Sequence, residues 1–442
     1  MFPNPQDALP LPPHPNLEQY KKQAKDLVKA CRSAAPDALR AWAARWVKTL
    51  ARLQGLVITR ELPVRIDRWI AQVENFARRN LRDSDQRAKC SLAEAQFVIA
   101  RAHGFEDWRS FAEQIQAQVR RNSPESQFEA AVEAIVTGDA PLLERLLREN
   151  PALIRARSTR EHRATLLHYV AANGVEGYRQ KTPKNIAEIA ETLLRAGAEV
   201  DAEANVYGGG ATTLGLAATS VHPERAGVQI ALLETLLNHG AQINRPGSGG
   251  NRMPIITACL ANGRAPAAEF FASRGAPMNL EDAAGVGRLE VVKSFFNQIR
   301  GVKANATHEQ LVRGFMWACG FGRSDVVAFL LGSGLDLDTR DADGQTGLHW
   351  AAMSGQLDTL RLLLARGAPL EAENVYGGTV LGQTLWSAAH DADPDAYIPI
   401  VETLLAAGAK VFERHAPISP RMDALLQRKG SAADESLSWD GE

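Results

Sequence analysis

The most constraining feature of this 442-residue chain is a repeat, and its clearest copy runs from Asp343 to Leu370. In that copy Thr346 can cap a short Ala-rich helix, Gly355 breaks that helix, a Leu-rich helix follows, and Gly367 stands where a left-handed helix end is typical. Versions of the unit recur from about residue 128 to residue 411. Because one helix pair cannot bury its apolar face alone, the repeats predict an all-α stack of helix pairs.

The start of this unit, TGLHWAA, carries a signature of one repeat family. It resembles the T-P-L-H-x-A pattern of the ankyrin repeat, whose period is about 33 residues. The resemblance implies stacked helix pairs with projecting hairpins and a concave binding face, and it implies protein binding as the class of function. It also implies a structural role for His168 and His349, whose side chains would bond the backbone of the neighbouring hairpin.

Glycines and Leu-rich helices divide residues 126–429 into about eight units of an ankyrin-like solenoid and a C-terminal cap. The predicted units are 128–154, 163–201, 206–244, 251–279, 280–298, 308–338, 342–374 and 375–411, followed by a covering helix at about 420–429. The register at 280–307 stays open. The last segment, 430–442, is polar, and we expect it to be a disordered tail.

A different module precedes the repeats. Residues 1–14 are rich in proline and are expected to be flexible, whereas residues 15–121 show the periodicity and caps of a small helical bundle. Segments 15–30 and 92–111 look like the helical segment found ahead of ankyrin arrays in bacterial proteins of uncharacterised function. The string NSPES at 122–126 marks the predicted boundary.

The two modules differ in charge. Residues 1–125 carry 21 Lys and Arg against 14 Asp and Glu, a net charge of +7, and residues 126–442 carry a net charge of −8. Opposite charges and a short linker predict that the bundle and the array are in contact. The basic residues are spread along helices without a recognition motif, so the sequence does not favour nucleic acid as a partner.

Features that would direct the chain to a membrane are missing from the sequence. No window reaches the roughly 18 apolar residues that a span requires, and the first residues lack the order of a signal peptide. A cytoplasmic location without a membrane partner is therefore the expectation. The four cysteines lie far apart and form no C-x-x-C motif, so we expect reduced structural thiols.

Three repeats carry extra residues between their two helices. The capping residue and the terminal glycine are 21 positions apart in the regular unit. The corresponding spans are longer in three others: Thr165–Gly197 (32), Thr212–Gly240 (28) and Gln383–Gly408 (25). The inserts, VEGYRQKTPKN, VHPERAGVQ and HDADPDAYIP, are of a kind that often lies on the binding face of a solenoid. Neutral loop drift is the alternative, because surface insertions cost little.

Aromatic and histidine side chains cluster in the same repeats. Aromatic residues follow or replace the histidine of the signature, and the string NVYGG occurs twice, at 205–209 and 374–378. Histidines also stand where a first helix meets an insert. The predicted binding surface lies on the concave face and contains Tyr169, Tyr207, His222, Trp350, Tyr376, Trp386 and His390. Inter-repeat core is the alternative role for the large aromatic residues.

No complete catalytic or metal motif occurs in the sequence. Four acidic residues have the spacing of an EF-hand loop: Asp391, Asp393, Asp395 and Glu402. Ala396 stands where that loop needs glycine, so we expect no metal, and we expect no cofactor. We predict a non-enzymatic binding module for a protein partner. The alternative is a small-molecule-binding protein or an enzyme with a pocket between the helical bundle and the concave face.

Overall fold

The computed structural model describes residues 7–12, 15–53, 62–81, 91–120, 123–243, 253–297, 302–434, 437 and 439. The chain divides into two compact units, Met1–Ile255 (unit 1) and Ile256–Glu442 (unit 2). The strands of the described residues are two residues long each and the rest of the regular structure is helical, so the all-α prediction is confirmed. None of the described helices is both long and apolar enough to cross a membrane.

Unit 1 begins with a helical bundle. Its described helices are α1 (Leu17–Arg32), α2 (Ala38–Leu53), α3 (Leu62–Leu81), α4 (Leu92–Ala102) and α5 (Trp108–Val119). Asn16 caps α1, and Ser91 forms a capping box with Glu94 at the start of α4. Trp42 and Trp46, one turn apart on α2, are both buried in the bundle core, with ring centroids 5.1 Å apart.

The N-terminal segment differs from the flexible stretch predicted for residues 1–14. Residues 1–6, 13 and 14 lie outside the described residues, but Ala8 and Leu9 are buried. The Leu9 N–H donates to the Ala102 carbonyl at 2.7 Å, and the Leu9 carbonyl lies 2.9 Å from Nδ1 of His103. Ala8 and Leu9, which lie among the prolines, thus pack this segment against the end of α4. Proline content alone does not reveal that contact.

The rest of unit 1 is made mainly of helix pairs. They are α6 (Pro124–Thr137), α7 (Ala140–Glu149), the 3₁₀ helices Pro151–Arg155, Leu166–Ala171 and Gly177–Arg179, α8 (Ile186–Arg195), α9 (Thr213–Thr219), α10 (Val221–Arg225) and α11 (Gln229–Asn238). Strands β1 (Glu203–Ala204) and β2 (Ala211–Thr212) pair antiparallel, with Glu203 opposite Thr212. The first insert contains the 3₁₀ helix Gly177–Arg179, and the second contains α10.

Unit 2 continues the pattern of helix pairs. Its elements are α12 (Ile255–Ala261, starting one residue earlier), α13 (Ala265–Ser273), α14 (Leu280–Gly285), α15 (Leu289–Ser294), α16 (His308–Gly320), α17 (Ser324–Gly332), α18 (Gly347–Met353), α19 (Leu357–Ala365), α20 (Val380–His390), the 3₁₀ helix Pro394–Tyr397, α21 (Ile398–Ala406), β3 (Arg414–His415), α22 (Pro420–Gln427) and β4 (Ala432–Ala433). The first helices of successive pairs, α14, α16, α18 and α20, pack side by side. The total of about eight ankyrin units stays a prediction.

The signature histidines have the structural role that the resemblance implied. Nδ1 of His349 lies 2.9 Å from Oγ1 of Thr346, at the start of α18. Its other ring nitrogen, Nε2, lies 3.3 Å from the carbonyl of Gly378 in the next hairpin. In unit 1, Nε2 of His168 is at the same distance, 3.3 Å, from the Ala211 carbonyl. Each histidine therefore joins two consecutive repeats.

We expect two buried histidines, His168 and His103, to make stability depend on pH. Burial lowers the pKa of His168 to about 4 and that of His103 to about 3, against about 6.5 in an unfolded chain. Between pH 4 and 6.5 the unfolded state therefore binds more protons, so stability is full above pH 6.5 and falls as the pH drops through this window. The melting temperature should be lower at pH 5 than at pH 7.5, by on the order of 5 °C. Equal melting temperatures at the two pH values would contradict this.

The chain end also differs from the disordered tail predicted for 430–442. In the described part, the Ala432 N–H donates to the Glu413 carbonyl at 3.0 Å, and β4 pairs in parallel with β3. The indole N–H of Trp439 donates to the Ala416 carbonyl at 2.9 Å. A short strand and one tryptophan hold these residues against the last repeat, and the polar composition of the segment hides both contacts.

The cysteines meet the expectation only in part. Cys259 and Cys319 are free and buried. Burial raises the pKa of the Cys259 thiol to about 12, which suits an unreactive structural thiol. Cys31, at the end of α1, is disulfide-bonded, so the prediction of reduced thiols is wrong for this residue.

Candidate functional site

The most exposed large apolar side chains of the described residues lie on one hairpin of unit 2. This hairpin, residues 373–379 (the Tyr376 hairpin), leads into α20, and its ends are joined by an antiparallel bridge from Glu373 to Thr379. Oδ1 of Asn374 accepts hydrogen bonds from the N–H groups of Tyr376 (3.0 Å) and Gly378 (2.9 Å). This turn leaves Tyr376 81% exposed and Val375 63% exposed. Exposed apolar residues grouped in this way are typical of binding surfaces.

The helix that follows adds a second aromatic group. Trp386 and His390 are four residues apart on α20 and therefore share one face, which we name the α20 face. Their ring centroids are 4.3 Å apart, and Nδ1 of His390 lies 2.8 Å from the Trp386 carbonyl. Trp386 is 43% exposed, and its indole N–H donates to the Trp439 carbonyl at 3.0 Å. Trp439 thus fixes the N–H edge of the Trp386 ring and His390 lies against the ring, while the rest of the ring is exposed.

A half-exposed phenylalanine extends the α20 face. Gly382 lies one turn before Trp386, and a Cβ atom at this glycine would lie only 3.1 Å from the ring of Phe412. The missing side chain therefore lets Phe412 lie close against the helix backbone. Phe412 remains 43% exposed. Together, the Tyr376 hairpin and the α20 face provide aromatic and apolar surface within one repeat.

Tyr207 and Tyr376 occupy the two NVYGG strings but not the same environment. In the first string Val206 is buried, and the hydroxyl of Tyr207 donates to Oδ1 of Asn173 at 2.7 Å. Tyr207 has a φ of +52°, and the three glycines that follow also have positive φ. The additional glycine allows the chain to fold this tyrosine back onto the preceding repeat. The two strings therefore allow a comparison of a tyrosine that is hydrogen-bonded to the fold, Tyr207, with one that projects into solvent, Tyr376.

Two other predicted binding residues pack inside the fold. Tyr169 is completely buried, so its assignment to a binding surface is wrong. Trp350 is half-buried, and its indole N–H donates to Oδ2 of Asp341 at 2.8 Å. A Cβ atom on Gly320 of the preceding repeat would lie 2.9 Å from the Trp350 ring. Trp350 therefore packs between repeats, as the alternative reading of the aromatic residues expected.

His222 lies on α10 in the second insert and is partly buried. Burial, together with the nearby Arg225, lowers its pKa and so favours its neutral form. Of the seven predicted residues, the structure brings Trp386 and His390 into direct ring contact, and Tyr376 belongs to the hairpin that precedes them. Tyr169, Tyr207 and His222 belong to unit 1, and the other four belong to unit 2.

A buried group of four charged residues in unit 1 was not predicted. This group, the charge cluster, consists of Glu129, Arg160, Glu176 and Arg179. Arg160 lies 2.8 Å from each of the two glutamates, and Arg179 pairs with Glu129 and lies 3.4 Å from Glu176. Two positive and two negative charges therefore balance each other away from water.

The electrostatics of the charge cluster keep all four groups ionised. Burial alone would raise the pKa of Glu176, but Arg160 and Arg179 outweigh it and hold the pKa well below its ordinary value. The pKa of Glu129 is lowered by the same balance. Burial raises the pKa of the neighbouring Tyr169 hydroxyl well above its ordinary value, so this group stays protonated. Strong pairing of this kind makes the cluster sensitive to removal of any one charge.

The charge cluster lies where the bundle meets the first repeats. The guanidinium of Arg160 lies 5.5 Å from the centroid of the Phe105 ring, which belongs to the bundle core. Gln114 of α5 accepts a hydrogen bond from the Thr159 hydroxyl at 2.8 Å. Arg101 of α4 also pairs with Glu161 at 2.6 Å. Within unit 1 the bundle and the array are thus in contact, as their opposite charges predicted.

The first insert has a structural role in the charge cluster. Glu176 and Arg179 both come from VEGYRQKTPKN. Arg179 pairs with Glu129 on α6 of the preceding repeat, and Glu176 pairs with Arg160. The length and charge of the insert are a usable signal in the sequence. Glu129 lies 50 residues before Arg179 along the chain, so this pairing could not be read from spacing. Neutral loop drift does not describe this insert.

The comparisons with known proteins concern the second half of the chain. A family model described as ankyrin repeats (3 copies) matches residues 280–374 and 315–414. The matched residues include the Tyr376 hairpin, the α20 face and Phe412. A search of curated proteins found no match. Residues 280–414 of this chain therefore consist of ankyrin repeats.

Proposed function

We propose that this chain is a non-enzymatic module that acts in the cytoplasm and binds a protein partner through its last ankyrin repeats. The observation that carries the proposal is the exposure of Val375 and Tyr376, the two most exposed large apolar side chains of the described residues. Trp386 and Phe412 add partly exposed aromatic area on the next helix and loop. Ankyrin repeats commonly bind proteins, and aromatic residues commonly supply most of the binding energy at protein interfaces.

The rigidity of the hairpin supports this function. Two hydrogen bonds from Asn374 hold the turn, and the His349 ring ties Gly378 to the preceding repeat. A preformed surface loses little conformational entropy on binding. Tyr376 can therefore serve as an anchor that needs no rearrangement of its own backbone.

The alternative was a small-molecule site between the bundle and the concave face. Where the bundle meets the first repeats in unit 1, Arg160 lies over the Phe105 ring, and the side chains of the charge cluster pair with each other. No observation at this contact favours an open pocket. We therefore favour protein binding over that alternative.

We expect Tyr376→Ala to weaken partner binding by about 2 kcal/mol, or roughly 30-fold, without lowering the melting temperature. The loss follows from removing the most exposed aromatic anchor. The partner would be captured from lysate of the source organism with the wild-type chain, identified by mass spectrometry, purified, and titrated by calorimetry. Trp386→Ala should also weaken binding, by a smaller factor.

Tyr207→Ala is the matched control, because it removes the same side chain from the same NVYGG string in unit 1. It loses the hydrogen bond to Asn173 and should cost some stability but no affinity. If Tyr376→Ala and Trp386→Ala bind the purified partner as tightly as the wild type, this surface is not the binding site.

A further inference from the structure

Acidic charge is concentrated around the proposed binding surface. Residues 336–402 contain 11 Asp and Glu against three Lys and Arg, a net charge of −8. The flanking parts of unit 2 are nearly balanced, with net charges of +2 for 256–335 and −1 for 403–442. The negative charge of unit 2 therefore belongs to the two repeats that carry the Tyr376 hairpin and the α20 face.

Two exposed carboxylates flank the apolar tip of the hairpin. The Val375 N–H donates to the Asp343 carbonyl at 2.9 Å, which places Asp343 directly beside Val375. Glu373 precedes Val375 by two residues on the same hairpin. Both side chains are exposed, and within the described part of the chain neither carboxylate has a hydrogen bond or an ion pair. Their charge is thus available to a partner.

The nearest cation of these hairpins does not cancel this charge. The Arg340 guanidinium pairs with Asp338 at 2.9 Å, and it donates to the carbonyl of Glu373 at 2.7 Å. The guanidinium therefore neutralises Asp338, and its other N–H groups donate to backbone carbonyls. At the other end of the surface, Asp391 and Asp393 are exposed directly after His390, so acidic groups border the α20 face as well.

We propose that the occupant of this surface is a basic segment of a partner protein, with lysine or arginine residues on both sides of an apolar residue. This inference rests on the proposed function and names the partner's chemistry. The apolar residue would pack on Val375 and Tyr376, and the flanking cations would face Asp343 and Glu373. A cation can also lie over the exposed part of the Trp386 ring. Complementary charge would select such a segment and speed its association.

The test uses a displayed library of random 16-residue peptides, selected on the full chain at low salt. The expected result is enrichment of peptides with several Lys or Arg around an aromatic or aliphatic residue. The strongest peptide would then be synthesised and titrated by calorimetry. Affinity should fall by about five- to tenfold in the double variant Asp343→Asn/Glu373→Gln, and it should also fall as salt is raised.

A double variant elsewhere in unit 2 controls for net charge. Glu290→Gln/Glu309→Gln removes the same two charges from exposed positions that pair with Lys293 and Arg313. This variant should bind the peptide like the wild type. An equal loss of affinity in both double variants would overturn the proposal, because binding would then follow overall charge.

The remaining outcomes separate the two proposals. Selected peptides that are neutral or acidic but need Tyr376 would overturn the basic partner and leave the proposed function standing. Peptides that bind Tyr376→Ala and Trp386→Ala as well as the wild type would count against the proposed function itself. Failure to enrich any peptide would overturn the basic-segment proposal. Sedimentation that shows self-association abolished by Asp343→Asn/Glu373→Gln would instead identify a second copy of this chain as the occupant.

Discussion

Glu176→Gln is expected to destabilise unit 1 by about 3–5 kcal/mol. Glutamine keeps the size of the side chain but removes one of two negative charges, so Arg160 and Arg179 must then share Glu129 in a buried site. An uncompensated buried charge costs this much because it keeps its desolvation penalty and loses its partner. The measurement is the urea unfolding transition of the full chain, with hydrogen exchange in α5 and α6 reporting on unit 1.

Two variants make this prediction specific to the charge cluster. Glu161→Gln removes a half-exposed partner of Arg101 in the same contact and should cost no more than about 1 kcal/mol. The double variant Glu176→Gln/Arg179→Gln restores neutrality and leaves the pair of Arg160 and Glu129, so it should be more stable than Glu176→Gln alone. If Glu176→Gln costs no more than Glu161→Gln, the charge cluster does not stabilise the first repeats as proposed.

Trp42→Ala is expected to cost about 3–5 kcal/mol, because the side chain is almost fully buried and its loss leaves a large cavity. Its indole N–H also loses a hydrogen bond to the Gln23 carbonyl. Thermal unfolding followed by circular dichroism would measure the effect. Trp386→Ala is the control, since that tryptophan is partly exposed, and it should change stability much less. Similar losses in the two variants would show that Trp386 is scaffold and would remove it from the proposed surface.

The regular repeats could be predicted because their determinants are local. In the unit that starts at Asp343, Gly355 and Gly367 have φ values of +70° and +81°, which glycine adopts without strain. The contact of His349 with the next hairpin also follows from the signature alone. Helix boundaries and the joints between repeats therefore follow from short stretches of sequence.

Burial of the aromatic residues could not be predicted in the same way. Tyr169 and Trp350 hold the same position in the signature, yet only Tyr169 is fully buried. Arg179 of the first insert contributes to the difference, because its guanidinium lies 6.0 Å from the centroid of the Tyr169 ring. How an insert folds back depends on contacts between distant residues, which repeat spacing does not encode.

The duplicated string NVYGG shows the same limit for the candidate site. Equal letters predicted equal roles for Tyr207 and Tyr376, but Tyr207 is hydrogen-bonded and 47% exposed, whereas Tyr376 is 81% exposed. Tyr207 differs because Gly210 follows the first string and because Asn173 accepts a hydrogen bond from its hydroxyl. The sequence could thus locate the right hairpins, while exposure had to come from the structure.

The most direct measurement is a hydrogen-exchange comparison of the full chain, free and bound to its purified partner. The proposal predicts slower exchange on binding in the Tyr376 hairpin and in α20, with no change at residues 205–209. The first hairpin serves as the internal reference, because it has the same five residues. Protection confined to unit 1, or protection that leaves the Tyr376 hairpin and α20 unchanged, would contradict protein binding through the last ankyrin repeats.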